Sequence, residues 1–396
     1  MRTFLFVAVV GLVLAVILES VNVTGTPAGS PTKGKKTANA GTNPENSPIE
    51  ENEMLWDKAC VLTRLVASSV RLSEAAGEII KDIWNSGDLK IVDKDQTGLM
   101  KDLQTEADRS AQMMIERSLR EKFGENLTIV GEENDAIEAV PSLEVLRSDK
   151  KVPDELRQIE LQDLVVWIDP LDSTSEFTKS KDNRALLRQV TVLIGITYNG
   201  RPVAGVVHQP FYDGEQSRTV WSIVGVDTFG LQKPAQQIAN TLSGKAIINL
   251  SDCAVPNVLI SPPFQLMDKC RRGSLSLPQV QKALDALVER ALISEVEHVG
   301  GAGFKVLRCL EGATAYVYAS GGTKKWDTAA PEALLIAAGG TLSDMSGRQI
   351  RYDGSVQLAN SGGLLATAPG VDHQSFVDAI PQHVKDALPE KEAVRS

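Results

Sequence analysis

The segment Trp167-Ile168-Asp169-Pro170-Leu171-Asp172-Ser173-Thr174 sets two carboxylates three positions apart, directly behind the apolar run Leu164 to Ile168, and follows them with a hydroxyl. A continuous Leu/Val/Trp/Ile run reads as a strand buried on both faces, and ligands of open α/β sheets gather at the carboxyl ends of such strands. Carboxylates without Cys or His neighbours suit a hard cation such as Mg²⁺ and phosphate chemistry, and they disfavour zinc. On its own, Asp-x-x-Asp is equally a turn or a helix cap.

Two further acidic motifs shift that balance. Leu127 to Val130 is a short β-rich run that breaks at Gly131 and presents Glu132 and Glu133. Lys324-Lys325-Trp326-Asp327 leads into an Ala/Leu/Ile-rich run ending at Gly339-Gly340, which predicts a helix with Asp327 as N-cap and Pro331 in the first turn. A fourth segment, Asp102-Leu103-Gln104-Thr105-Glu106-Ala107-Asp108, stands ahead of a helical pattern over 109–123.

Taken together, these four motifs resemble those of the metal-dependent, lithium-sensitive phosphatases of the inositol monophosphatase superfamily. Asp163 to Trp167, Val190 to Ile196, Gly300-Gly301-Ala302-Gly303 and Lys324 to Asp327 bring the likeness nearest to its bisphosphate nucleotidases, over residues 60–370. The resemblance implies a layered α/β/α/β sandwich with metals between two halves. It implies Glu132, Asp169, Asp172, Asp327 and the carbonyl of Leu171 as donors to two or more Mg²⁺ ions, with Li⁺ inhibitory. Asp108 and Thr174 would orient and deprotonate the attacking water. Gly301 and Lys305 would contact a nucleotide, with Thr174 also at the substrate. The implied reaction removes the 3'-phosphate of adenosine 3',5'-bisphosphate. An inositol phosphate phosphatase is the second reading, and an inactive nucleotide sensor is a third from another class.

Two segments depart from the nucleotidase pattern. The stretch from Lys179 to Gln189, with Asn183-Arg184-Ala185-Leu186-Leu187-Arg188, is longer than expected and reads as tolerated surface rather than a lid. Between Leu250 and Ser276 the expected Thr-Arg-Ser-His-Ser type segment is replaced by Cys270-Arg271-Arg272-Gly273-Ser274, which leaves Ser274 as the candidate substrate contact. Trp326 reads as packed against its helix, and Cys309 as a buried thiol.

With 41 Lys+Arg against 51 Asp+Glu, the net charge of −10 argues against a nucleic-acid polymer as partner. A small phosphorylated nucleotide or inositol phosphate fits instead, and a monomer is expected. The amino terminus carries an apolar run from Phe4 to Leu18 behind Arg2, read as a signal peptide or signal anchor over 1–20. It is the one expected point of membrane attachment and implies the secretory lumen or secretion, with the cytoplasm as alternative. A polar tether over 21–53 follows, and then a phosphatase domain over 54–390, its N-terminal half 54–230 and its C-terminal half 231–390.

Overall fold

The computed structural model describes residues 48–94, 103–130, 137, 139–214, 216–232, 245–248 and 277–389. The leader, residues 21–47 of the expected tether, Glu132 and Ser274 lie outside the described residues. The end of that tether, 48–53, needs correction: it forms the start of a helix over Pro48–Lys58, carrying Glu50 and Glu51 in its first turn, where the helix dipole favours negative charge. Among the described residues no helix is long and apolar enough to cross a membrane.

The described residues begin with helices α1 (Pro48–Lys58) and α2 (Val61–Ser86), a short β1–β2 ladder (Val92–Asp93, Leu103–Gln104) and α3 (Glu106–Phe123). A six-stranded sheet follows, built from β3 (Thr128–Val130), β4 (Leu164–Asp172), β5 (Thr191–Tyr198), β6 (Arg201–Asp213), β7 (Gln216–Ile223) and β8 (Asp227–Phe229), adjacent in that order. The short helix α4 (Thr174–Lys179) leaves the end of β4. Beyond this sheet come β9 (Lys245–Ile248), α5 (Leu277–Glu289), β10 (Glu295–His298), α6 (Ala302–Leu310), β11 (Ala315–Tyr318), α7 (Lys325–Ala338), β12 (Thr341–Ser343), β13 (Leu364–Thr367) and α8 (His373–Ala379). The last five strands form a second sheet in the order β10-β9-β11-β13-β12.

Strand alternation distributes side chains between separate cores. Val166 and Ile168 of β4 and Val192, Ile194 and Ile196 of β5 face α2 and α3, whereas Trp167 and Leu193 face the other way. There they meet α6 and α7, together with Tyr316, Leu364 and Ala366 of the second sheet. Ala315, Val317 and Leu365 point to the far side, where α5 and α8 cover them. The layering is therefore α/β/α/β as expected, with a further helical layer outside the second sheet. Each strand has period two, so a strand sandwiched between helices is apolar at consecutive positions.

Three local expectations need correction. The apolar spacing of Leu62, Leu65, Val66, Val70 and Leu72 predicts one helix over 55–84, but the chain breaks at Ala59-Cys60, so that α1 and α2 are separate helices. The second helix starts at Glu106 rather than Arg109, because Thr105 caps it and Asp108 accepts the Thr105 N–H at 2.7 Å, the capping-box bond. Strand β4 does not stop at Ile168 but runs on to Asp172, bulging between Asp169 and Asp172. The Asn199-Gly200 turn holds both residues at positive φ, 50° and 70°, and pairs Tyr198 with Arg201 as a two-residue hairpin requires.

Helix α7 lies directly on β5 and β6, at glycines. A Cβ on Gly195 would sit 2.5 Å from the Ala329 Cβ and 2.6 Å from the Ala330 N. Since the obstruction is helix backbone, Gly195→Ala must push α7 away from the sheet. A loss of about 3 kcal/mol in unfolding free energy is expected, measurable by urea titration, and a variant as stable as the wild type would show that the helix is not seated as described.

Candidate active site

Because β4 bulges after Asp169, Asp169 and Asp172 both turn toward the space where α6 and α7 begin. The Leu171 N–H donates to Asp169 Oδ1 at 3.1 Å, closing a tight turn inside the motif. Asp327 arrives from the first turn of α7. It is not the N-cap: Lys324 holds that position in extended conformation, and Asp327, three residues on, accepts the Lys324 N–H at 2.8 Å. Pro331 consequently falls in the second turn and not the first. The capping bond fixes the Asp327 carboxylate against the helix N-terminus, where the dipole favours negative charge.

Asp169 and Asp327 act directly on each other's charge. Desolvation, followed by the charges of Asp327 and Asp172, holds the Asp169 carboxyl well above its ordinary range. Desolvation and the charge of Asp172 push Asp327 up to about 6, against the Lys324 N–H that stabilises its charge. Like charges buried together favour either one protonated carboxyl or a cation that offsets both.

Asp172 is turned toward the glycine loop. Its oxygens accept from the Ala302 N–H at 3.1 Å, the Gly303 N–H at 2.8 Å and the Thr191 hydroxyl at 3.0 Å. Lys305 is enclosed, donating to the Gly301 carbonyl at 3.0 Å, and burial lowers its ammonium to about 8 despite the pull of Asp172 and Glu176. Its charge therefore reaches the site through the field it casts on those carboxylates. Gly301 has φ 68°, and a Cβ there would stand 2.3 Å from Ser173 Oγ and 2.8 Å from Asp172 Oδ2. Glycine is thus required both by conformation and by close approach.

Thr174 opens α4, after Ser173 at φ 76° has turned the chain. Its hydroxyl lies 3.0 Å from Asp108 Oδ1 and 3.0 Å from the Leu171 carbonyl. The hydroxyl has one proton for these two acceptors, and giving it to Asp108 leaves an oxygen lone pair to receive another. Asp108 is buried, and desolvation raises its carboxyl above the usual range against the Thr105 and Thr174 bonds that lower it, which makes it a better proton acceptor than an exposed aspartate.

The structure thus brings together Asp108, Asp169, Leu171, Asp172, Thr174, Gly301, Lys305 and Asp327, from positions 108 to 327 of the chain. Sequence reasoning missed Thr191 and Glu176. Thr191 anchors Asp172, and the Glu176 carboxyl packs against Gly300, where a Cβ would meet its Cδ at 2.3 Å. Neither has a motif of its own, since each matters only through the fold. Cys309 is buried as expected, its thiol pushed up to about 12 by burial, and Trp326 packs partly buried against the central core.

A divalent cation fits this donor set: all donors are oxygen, and the Asp169–Asp327 pair demands a positive partner. Among the described residues, no three His, Cys, Asp or Glu side chains already close into a cage, and Glu132, the further carboxylate expected there, lies outside them.

A model of the inositol monophosphatase family matches residues 62–385. A human protein named 3'(2'),5'-bisphosphate nucleotidase 1 is 38% identical over 343 residues, covering 83% of this chain and 97% of that protein. Its namesake from Dictyostelium discoideum is 32% identical over 347 residues, covering 82% and 98%. In fold, the chain is similar to the staphylococcal SaIMPase-II, solved with inositol monophosphate bound, at 18% identity and a TM-score of 0.53, covering 82% of this chain and 97% of that one.

Divalent cation is expected to raise the melting temperature, and EDTA to reverse the rise. The rise should be largest above pH 6 and fade below it, because protons then compete for Asp327 and Asp169. A melting temperature indifferent to cation across that range would contradict the site.

Proposed function

Because the chain belongs to the inositol monophosphatase family, a family of metal-dependent phosphatases, we propose that it hydrolyses the 3'-phosphate of adenosine 3',5'-bisphosphate to AMP and phosphate, with Mg²⁺ as cofactor and Li⁺ as inhibitor. The observation that carries this reading is the Thr174–Asp108 contact at 3.0 Å beside the crowded carboxylates, a proton-accepting pair next to a cation-demanding one. The choice of a bisphosphate nucleotide is supported by nucleotidases that align with the chain over almost their whole length.

Asp169, Asp172, Asp327, the carbonyl of Leu171 and Glu132 would hold the metal. When bound, such ions activate water and offset charge on the phosphoryl oxygens. The rest of the work falls to the chain's own groups. Asp108 takes the Thr174 proton in a hydrogen bond, so that Thr174 Oγ1 accepts the proton of a water lying against it. Thr105 holds Asp108 in place through two bonds to Oδ2, at 2.7 Å from the backbone N–H and 2.5 Å from the hydroxyl. The glycine loop lines the proposed substrate space with backbone, while its Ala302 and Gly303 amides hold Asp172 in place.

The body over 54–390 is proposed as the catalytic unit. The apolar leader over 1–20 supports delivery to the secretory lumen, with the polar segment ahead of α1 as tether and a single small phosphorylated molecule as partner of a monomeric enzyme.

Phosphate release should be measured from adenosine 3',5'-bisphosphate and from inositol 1,4-bisphosphate, with Mg²⁺, with added Li⁺ and with EDTA. The nucleotide is expected to be the better substrate, and the activity to vanish in EDTA and fall in Li⁺. Preference for the inositol ester would replace the substrate assignment, and no release from either would overturn the reading. Asp108→Asn should lower turnover by about 10²–10⁴-fold, the range of a lost proton acceptor, while stabilisation by Mg²⁺ persists.

A further inference from the structure

We infer that Gln189 is a positioning residue for the glycine loop, and that the segment from Asn183 to Gln189 serves the active site instead of being tolerated surface. This rests on the proposed reading of the glycine loop as the substrate cradle. The segment forms a 3₁₀ turn over Arg184–Gln189 whose last residue reaches across the chain: the Gly300 N–H donates to Gln189 Oε1 at 2.5 Å, linking positions 111 residues apart. The Gln189 carbonyl also lies 3.1 Å from where a Cβ on Gly301 would stand, so that it packs against that glycine together with Ser173 and Asp172.

The same segment holds the other end of the helix that the glycine loop starts. The carbonyl of Arg188 accepts from Gln209 Nε2 at 2.9 Å, and Gln209 Oε1 accepts from Arg218 Nε at 3.0 Å. Arg218 in turn pairs with Glu311 at 2.6 Å, and Glu311 is the C-cap of α6. Gln209 is fully buried, and the Arg218 and Glu311 side chains are 9% and 14% exposed, so that these bonds form away from bulk water, where they are strong and costly to break. Gln189 thus bonds the loop ahead of α6 directly, and Arg188 is joined to the C-cap of α6 through Gln209 and Arg218, at the point where the chain enters β5 and supplies Thr191 to Asp172. One short stretch of chain therefore sets the glycine loop, the helix behind it and the carboxylate that faces them.

A group that acts through the loop governs how well substrate is held more than how fast the bond breaks. Gln189→Met keeps length and loses the acceptor, and Gln189→Glu keeps an acceptor at the same reach. KM and kcat for adenosine 3',5'-bisphosphate are to be measured in both variants. Amide hydrogen exchange of peptides covering 299–305 is to be followed in parallel, along with the melting temperature. Gln189→Met should raise KM about tenfold with kcat within about twofold of wild type, and should speed exchange at 299–305, while Gln189→Glu restores most of the exchange protection. Unchanged KM and unchanged exchange in a folded Gln189→Met overturn the inference, as does equal loss of protection in both variants. A wild-type enzyme without activity on the nucleotide would count against the proposed substrate, whereas the exchange measurement would still decide the role of Gln189.

Discussion

Mutual repulsion among Asp169, Asp172 and Asp327 is the constraint around which this molecule is arranged. Each is desolvated, and Asp169 and Asp327 are close enough that one stays protonated or a cation offsets both. The fold bears that cost with three devices. The first turn of α7 offers its N-terminus and the Lys324 amide to Asp327, the glycine loop offers two amides to Asp172, and the enclosed Lys305 lends its charge to both sides. Such an assembly is expensive unless it binds a cation, which ties the stability of the folded state to the chemistry of the family.

The two sheets meet at this point through α6 and α7, and glycines let them meet closely. Gly195 and Gly205 admit the backbone of α7 onto β5 and β6, and Gly303 admits the start of α6 onto Thr191 and Leu193. The carboxylates are carried by a strand of the first sheet and by a helix wedged between the sheets. Their relative position is therefore set by core packing, with Trp167, Leu193, Ala329, Leu334 and Tyr316 in one buried cluster. Packed interiors of this kind deform little, and a site that needs carboxylates held against repulsion benefits from that stiffness.

Much of this was legible in the residues. The apolar run ahead of Asp169, the Asn199-Gly200 turn and the near-continuous apolar run of β5 report local propensity and burial, which a single sequence carries directly. Resemblance to a phosphatase superfamily supplied the pairing of Asp108 with Thr174, which spacing alone does not reveal because 66 residues separate them. Three features are not legible there. Asp favours the N-cap, which points Asp327 to that position, yet a capping box places an acid equally well three residues inside the helix. Pro170 and two aspartates look like strand breakers and suggest that β4 ends at Ile168, whereas a bulge carries the strand through them. Nothing in the sequence marks Gln189, since its partner is a backbone amide more than a hundred residues away.

The central claim is that Asp169, Asp172 and Asp327 form one cation-binding centre, and anomalous scattering from crystals grown with Mn²⁺ tests it most directly. The account predicts anomalous peaks within coordination distance of Asp169 and Asp327, near the Leu171 carbonyl and beside the Thr174 hydroxyl. Well-ordered crystals with the three aspartates in place and no peak among them, at Mn²⁺ concentrations that support any activity, would contradict it.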